Sequence, residues 1–259
     1  MTPKKTLEHA TTVPEPGAQA RREARLREEA TLTLVLLRHG EPDWFPEGRP
    51  VDDAHLTARG RAQAVAAARD LADGRYGSVN AIYVSPLLRA QETAQPLAEA
   101  TGIEPVTVAD LAEIGIAAPG ASQAEVDEFF KQAMRRPLPE HWNGWPEGEG
   151  FRPFHQRVSR GIADVLARHE VRPCKQGDYT VWLHPPRRQT IVVVAHGGTN
   201  AVLVTHLLDI PPVPWEWVRF ESELGAYSVL QARPLGVEGG VWSLIDFNEV
   251  DHLRRARLR

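Results

Sequence analysis

Two segments of the sequence place a histidine and a glycine directly after a run of apolar residues. The first is LVLL followed by Arg38, His39 and Gly40, and the second is VVVA followed by His196 and Gly197. Short, nearly continuous apolar runs are typical of strands that are buried on both faces. In an open parallel sheet, ligands bind outside the carboxyl ends of the strands. We therefore expect both histidines at one rim of a sheet, where they can meet a ligand.

A second arginine is predicted to lie near the same rim. The strand-like run AIYV is followed by Ser85 and Pro86, which are favourable residues for a helix N-cap and a first helical turn. A helix that begins there has Arg89 in its first turn. Each of these residues alone is more typical of a structural role. Together, two guanidinium groups and two imidazoles suit a tetrahedral dianion, because arginine binds phosphate oxygens with two parallel hydrogen bonds.

The charges predict which residue reacts. A neutral imidazole nitrogen is a competent nucleophile, and positive neighbours disfavour its protonation. His39 is the stronger candidate because Arg38 adjoins it, and His196 would then hydrogen-bond the equatorial oxygens of the transition state. A leaving alkoxide needs a proton. Glu113, after a predicted strand, is the best-placed carboxylate, although an exposed loop glutamate fits the local pattern nearly as well.

The elements that must position these residues alternate between strands and helices. Helical periodicity covers 56–71, 126–133 and 154–166, and strand-like runs cover 31–37, 81–84, 191–195, 227–232 and 241–247. The last two strands are expected to be antiparallel to each other or at a sheet edge. The pattern predicts an α/β fold, a three-layer α/β/α sandwich with a mostly parallel central sheet, one antiparallel edge strand and a partly helical cap.

The chain divides into an N-terminal extension and one catalytic domain. Residues 1–30 are polar or lack an apolar stripe, and we expect them to be disordered or loosely helical. The domain is predicted to span 31–259, with a cap region at about 110–150 and an insertion at about 172–189. The insertion is longer than usual for its type of connection. An extra hairpin is the favoured interpretation, and a flap that covers substrate or forms a dimer is the alternative.

Composition excludes several classes of protein. The chain has 259 residues, of which 42% are hydrophobic and 25% charged, and its net charge is −4. These values are typical of a soluble globular protein and not of a nucleic-acid binder. A single cysteine, Cys174, excludes an intramolecular disulfide and fits a cytoplasmic location. No apolar run is long enough to span a membrane. The apolar segment 211–220 fits either a homodimer patch or a buried loop.

These segments resemble the histidine phosphatase superfamily, also called phosphoglycerate mutase-like. The resemblance covers about residues 31–232 and is carried by LLRHGEPDW at 36–44, LTARGRAQA at 56–64, VSPLLRAQETA at 84–94 and VVVAHGGTNAVLVTHLL at 192–208. It implies a phosphate pocket formed by Arg38, Arg89 and His196, with Gly197 beside it. It also implies that His39 becomes phosphorylated and that Glu113 donates the proton. His196 is followed by glycine instead of aspartate, which indicates branch 1.

The chain departs from the family pattern in the turn after His39. Many relatives carry Ser or Thr and then Asn where this chain has Pro42 and Phe45. Phe45 and Trp44 favour an apolar or aromatic leaving group. The segment after Glu113 lacks the Arg-His-Tyr-Gly pattern of dedicated mutases. We therefore predict that the protein hydrolyses the phosphomonoester bond of a small phosphorylated metabolite.

Two alternative functions remain open on the sequence. One is a phosphoglycerate mutase-type phosphotransferase, and the other is a non-catalytic protein that binds a phosphorylated ligand. A metal site is disfavoured, because the arginines near the two histidines would repel a cation. No cofactor and no metal are expected, and neither a nucleic acid nor a membrane is an expected partner.

Overall fold

The computed structural model describes residues 32–115, 123–145, 148–184, 187–235 and 239–259. The predicted extension at 1–30 lies outside them. Within them the strands are β1 (Leu32–Arg38), β2 (Val79–Val84), β3 (Val106–Thr107), β4 (Arg172–Gln176), β5 (Tyr179–Leu183), β6 (Gln189–Ala195), β7 (Tyr227–Pro234) and β8 (Gly240–Glu249). The α-helices are α1 (Ala58–Ala72), α2 (Leu88–Thr101), α3 (Gln123–Met134), α4 (Phe151–Arg168), α5 (Gly197–Leu207), α6 (Glu216–Arg219) and α7 (Asp251–Arg255). Short 3₁₀ helices cover Pro46–Gly48, Ala109–Leu111 and Leu138–Asn143.

The strands form one mixed sheet in the order β3-β2-β6-β1-β7-β8-β5-β4. The first four are parallel to one another, and every pairing from β1·β7 to β5·β4 is antiparallel. The α/β class is confirmed, but the expectation of a mostly parallel sheet with one antiparallel edge strand was wrong. The connections from β4 to β5 and from β7 to β8 are too short to cross over the sheet, so each pair returns as a hairpin. The expected antiparallel pairing of β7 with β8 is confirmed.

The two central parallel strands, β1 and β6, position the site. Their register runs from Leu32↔Gln189 to Arg38↔Ala195. The backbone N–H of His39 donates to the carbonyl of Ala195 over 3.0 Å, which extends the ladder by one bond. The residues that follow both strands therefore lie side by side at the carboxyl rim, as the sequence predicts.

Alternation along these buried strands divides the core between two sets of helices. Leu34, Leu36 and their neighbours on β6 pack with α4 and α5, while Val35 and Leu37 pack with α1 and α2. The predicted apolar face of α4 is fully buried, and it consists of Phe154, Val158, Ile162, Val165 and Leu166. The sheet is therefore fixed by apolar packing on each face, which gives the rim a rigid base.

The start of α2 differs from the sequence prediction. The helix begins at Leu88, and Ser85 and Pro86 precede it without capping it. The backbone N–H of Leu88 instead donates to the carboxylate of Asp53, at 2.9 and 3.1 Å. Arg89 nevertheless lies in the first turn, as expected. A distant aspartate replaces the local cap because the helix begins three residues after Ser85, whose hydroxyl accepts the N–H of Leu87 at 3.3 Å.

The remaining predicted segments lie at the periphery. Residues 172–183 form the β4–β5 hairpin, with Cys174 opposite Val181, so the hairpin interpretation is confirmed. A helix is present where 126–133 predicted one. In the segment 211–220, Trp217 stacks on Trp145 with ring centroids 6.3 Å apart, which fits the buried-loop alternative. No helix in the described ranges has the length and apolarity that a membrane span requires.

Candidate active site

His39 lies at the rim with its ring held in one orientation. Its Nδ1–H donates to the carbonyl of Gly40 over 2.8 Å, which leaves Nε2 with a lone pair. The Nε–H of Arg89 points at that Nε2 over 3.3 Å. Burial, Arg89 and Arg38 lower the pKa of His39 well below the usual histidine value, against the opposing effect of the Gly40 bond. The imidazole is therefore neutral, and its nucleophilic nitrogen faces the arginines.

His196 faces His39 across the rim, with ring centroids 5.1 Å apart. Its Nε2 lies 2.7 Å from the hydroxyl of Ser85, so the serine that the sequence suggested as a helix cap orients the second histidine instead. Burial, together with His39 and Arg89, lowers the pKa of His196 well below its usual value. When the hydroxyl donates to Nε2, the other ring nitrogen carries the proton and is a donor to a ligand.

The two arginines are fixed from outside the pocket. Arg38 donates from Nη1 to the carbonyl of Ser222. The guanidinium of Arg89 lies 4.8 Å from the ring centre of Trp44, and its Nη1 is 3.6 Å from a carboxylate oxygen of Asp53. Both side chains are thereby held in place before any ligand binds, which reduces the entropic cost of binding.

Three nitrogen atoms around His39 are buried and have no hydrogen-bond partner among the described residues. They are Nε of Arg38, Nη1 of Arg89 and Nδ1 of His196. Leaving a buried donor unpaired costs about 1–3 kcal/mol, and more for a charged group. A tetrahedral oxyanion would supply the missing acceptors to all three. The arrangement is therefore that of an anion pocket.

The beginning of α5 completes the pocket. The guanidinium of Arg38 rests against Gly197, where a Cβ would lie 3.4 Å from Cζ. At Gly198 the N–H donates to Oε2 of Glu113 over 2.9 Å, and a Cβ would lie only 2.6 Å from Oε1. Only glycine permits that approach without displacing the carboxylate. The positive end of the helix dipole also faces the pocket, which favours an anion there.

Glu113 lies beside the pocket but does not directly follow a strand. β3 ends at Thr107 because only two of its residues pair with β2, and the 3₁₀ turn Ala109–Leu111 intervenes. The alternative of an exposed loop glutamate was wrong, because Glu113 is half-buried. Its carboxylate accepts hydrogen bonds from the backbone of Ile114 and Gly198. The structure thus brings all the predicted site residues together.

Sequence reasoning missed the residue that supports the Glu113 segment. Arg157 on α4 forms a two-bond ion pair with Glu149, at 3.0 and 2.6 Å. Its Nη1 also donates to the carbonyls of Asp110 and Ala112, at 2.9 and 3.0 Å. The sequence carries only a weak signal for this role, since an arginine beside the apolar face of a helix is usually a surface residue. Backbone acceptors cannot be read from side-chain types.

Known proteins are similar to this chain in sequence and in fold. The sequence model of the histidine phosphatase superfamily (branch 1) matches residues 34–174. Phosphoserine phosphatase 1 of Hydrogenobacter thermophilus is 32% identical over 203 residues, which are 77% of this chain and 86% of that protein. Glucosyl-3-phosphoglycerate phosphatase of Mycobacterium tuberculosis is 33% identical over 191 residues, 70% of this chain and 78% of that protein.

A solved structure of mycobacterial glucosyl-3-phosphoglycerate phosphatase superposes with a TM-score of 0.62 at 28% identity, covering 83% of this chain and 98% of that one. The family match covers more than half of the chain, and the two relatives are themselves named as phosphatases. The resemblance read from the motifs is therefore confirmed: the chain belongs to branch 1 of the histidine phosphatase superfamily.

Proposed function

We propose that this enzyme hydrolyses a phosphomonoester of a small metabolite through a phosphohistidine at His39. Arg38, Arg89 and His196 hold the phosphoryl group, and Glu113 is the general acid. The observation that carries the proposal is the set of buried donors, without a hydrogen-bond partner among the described residues, around a neutral imidazole. Membership of the family and its phosphatase relatives support the same reaction.

In the first step, the lone pair on Nε2 of His39 attacks phosphorus. An N–P bond forms while the P–O ester bond breaks, and the departing oxygen takes a proton from Glu113. The guanidinium groups, His196 and the N–H groups of α5 near Gly197 stabilise the charge on the equatorial oxygens. Because these donors are already in place, little reorganisation accompanies the reaction.

In the second step, a water molecule attacks the phosphohistidine. Glu113, now a carboxylate, removes a proton from that water, and the N–P bond breaks to release inorganic phosphate. His39 returns to its neutral state. The carboxylate can serve in both steps because neighbouring N–H groups hold it at the rim, including the N–H of Gly198 at 2.9 Å.

The leaving group is proposed to contact an aromatic surface. Trp44 packs over Arg89 with 39% of its surface exposed, so part of the ring borders the mouth of the phosphate pocket. Pro42 and Phe45 offer no hydrogen-bonding side chain in the same turn. These features support a substrate whose non-phosphate part is apolar or aromatic near the ester oxygen.

We also propose a domain organisation and a layer arrangement for this chain. Residues 31–259 form a single catalytic domain, and helices on both faces of the mixed sheet give it three layers. The packing of α1 and α2 on one face and of α4 and α5 on the other supports this arrangement. The single cysteine, Cys174, supports a cytoplasmic location. A homodimer is proposed as well.

A screen of phosphomonoesters with trapping of the phosphoenzyme tests the reaction. We expect phosphate release from at least one class of small metabolite, and rapid quenching with labelled substrate should place the label on His39. His39→Ala should lose both activity and label. His169→Gln is the matched control, because His169 hydrogen-bonds to Tyr83 and Gln189, which are not residues of the proposed site.

Activity that survives in His39→Ala, or a label on another residue, would contradict the mechanism. Including a phosphoglycerate acceptor in the same assay separates hydrolysis from mutase-type transfer. Binding of phosphate without turnover of any ester would instead support the non-catalytic alternative.

A further inference from the structure

A second cavity lies at the opposite end of the sheet from the catalytic residues. Its volume is about 340 Å³, and its walls include Thr33 on β1, Asn80 on β2, Thr190 on β6 and Gln231 on β7. Strands β1 and β6 run in parallel from this cavity towards the rim that carries His39. Seven residues of strand span about 20 Å, so the cavity is separate from the phosphate pocket.

The amide side chains of this cavity use their oxygens on the protein itself. Oδ1 of Asn80 accepts the backbone N–H of Thr190 over 2.8 Å. Oε1 of Gln189, another wall residue, lies 2.9 Å from Nδ1 of His169. The amide nitrogen of Gln189 is buried and has no hydrogen-bond partner among the described residues. The hydrogen-bonding capacity left over is therefore that of a donor, which calls for an acceptor on the ligand.

The charged residues of the cavity also favour an anionic ligand. Arg75 and Arg188 both contribute to its walls, and none of the described residues that line it is an aspartate or glutamate. Outside the lining, Arg75 forms ion pairs with Glu249 at 3.4 Å and with Asp70 at 3.9 Å, which hold its guanidinium group in position. The charged side chains among the described lining residues are therefore both arginines.

We propose that this cavity is a second ligand site, which binds a small oxyanion-bearing metabolite through a carboxylate or phosphate group. The volume lies at the lower end of the range for small-molecule pockets, about 300–1,000 Å³. The anionic group contacts the two arginines and the amide nitrogen of Gln189. The site is independent of the proposed hydrolysis, since it shares no residue with the phosphate pocket.

The proposal can be tested by nuclear magnetic resonance on the full-length, ¹⁵N-labelled chain. Inorganic phosphate and succinate are titrated separately. The amide signals of Gly77 and Thr190 report on the cavity, and those of Gly40 and Gly198 report on the catalytic rim. We expect the cavity signals to shift in a saturable manner with one or both anions, at an affinity different from that of the rim. A response to phosphate alone, to succinate alone or to both identifies the group that is recognised.

A pair of adjacent arginines provides the variant and its control. Arg188→Gln should weaken binding at the cavity by about tenfold, because it removes a charge-assisted contact. Arg187→Gln makes the same charge change beside it, but Arg187 pairs with Glu170 at 2.8 Å and does not line the cavity. It should leave the affinity unchanged. Unmoved signals of Gly77 and Thr190 with both anions, or equal weakening in both variants, would overturn the proposal. Failure of catalysis would leave this result unaffected.

Discussion

The reactivity of His39 depends on an imidazole that stays uncharged between two arginines. Burial and the positive charges of Arg89 and Arg38 act in the same direction on its pKa, and His196 is affected in the same way. An ordinary histidine is half protonated near pH 6.5. In this site the lone pair is retained at lower pH, where a free imidazole would already be protonated.

The pH dependence of catalysis follows from that shift. We expect kcat/KM, corrected for the ionisation of the substrate phosphate, to show no acid limb at the ordinary histidine pKa. The decline should begin only at clearly lower pH, because both histidines have depressed pKa values. A steady-state pH–rate profile measures this. A limb centred on the ordinary histidine value after the correction would show that the site is not as desolvated as its burial indicates.

A separate prediction concerns the proton donor. Glu113→Gln keeps the size of the side chain but removes its acidic proton, and only one of its two terminal atoms can still accept an N–H bond from Ile114 or Gly198. For alkyl phosphates we expect kcat/KM to fall by about 10²–10⁴, the usual contribution of general acid catalysis. For p-nitrophenyl phosphate, whose leaving group needs no proton, the first step should be nearly unaffected. Because hydrolysis of the phosphohistidine is common to both substrates, the comparison uses kcat/KM, which reports formation of the phosphoenzyme. Equal losses in kcat/KM would indicate a purely structural role for Glu113.

At the level of elements, α4 links the core to the acid-bearing segment. The apolar side of the helix packs into the core, and Arg157 on its flank holds the carbonyls of Asp110 and Ala112. Apart from the 3₁₀ turn Ala109–Leu111, the segment that carries Glu113 is irregular between β3 and residue 115. Its position therefore depends on one guanidinium group more than on regular secondary structure.

Replacing Arg157 should lower catalysis in the same way as replacing the proton donor Glu113. Arg157→Met is expected to lower kcat on alkyl phosphates more than on p-nitrophenyl phosphate, with a small effect on KM, and to reduce the free energy of unfolding by about 1–3 kcal/mol. The control is Arg160→Met, one turn further along the helix, where the ion pair with Asp110 is exposed and screened by solvent, so stability should change little. If both variants lose kcat alike, Arg157 has no particular positioning role.

Helix α6 contains a carboxyl group that the mechanism does not use. Glu216 is fully buried, and burial raises its pKa to about 7 against the effect of hydrogen bonds from Thr205 and Val213 and the charge of Arg219. Nε2 of His155 lies 4.0 Å from Oε1 of Glu216. The folded state therefore holds a proton that an unfolded glutamate releases above about pH 4.3. Stability attributable to this group is lost as pH rises from that value to 7.

Glu216→Gln removes this dependence, because glutamine is neutral at every pH. Relative to the unmodified chain, the variant should gain about 2–3 kcal/mol of unfolding free energy between pH 5 and pH 8. Urea unfolding at the two pH values measures the gain. A stability difference that is the same at both would mean that Glu216 does not titrate in this window.

The elements that the sequence predicts well are those whose signal is local. The apolar runs of β1 and β6 and the 3.6-residue periodicity of α4 determine both their type and their burial. Strand pairing is not a local property, so the antiparallel half of the sheet escaped prediction. Ser85 was misassigned for a related reason, because its partner, His196, lies 111 positions away in the sequence.

For the whole molecule, the site could be predicted from the sequence because both histidines follow strands directly. Arg38, His39 and His196 need only the rule that parallel strands end at the same rim. Glu113, Arg157 and Asp53 reach the pocket through irregular segments or long-range contacts, which composition and periodicity do not specify. The second cavity is of the same kind, since residues from four strands and the loops before them enclose it.

The ladder between β1 and β6 also determines when the reaction centre is lost during unfolding. Its seven paired residues are central and almost entirely buried, so their amide protons should exchange with solvent only through global opening. The outer β4–β5 hairpin is largely exposed and should exchange earlier. On heating, the molecule should therefore retain its phosphatase activity until the last cooperative unfolding transition. Its peripheral elements should have unfolded locally before that point.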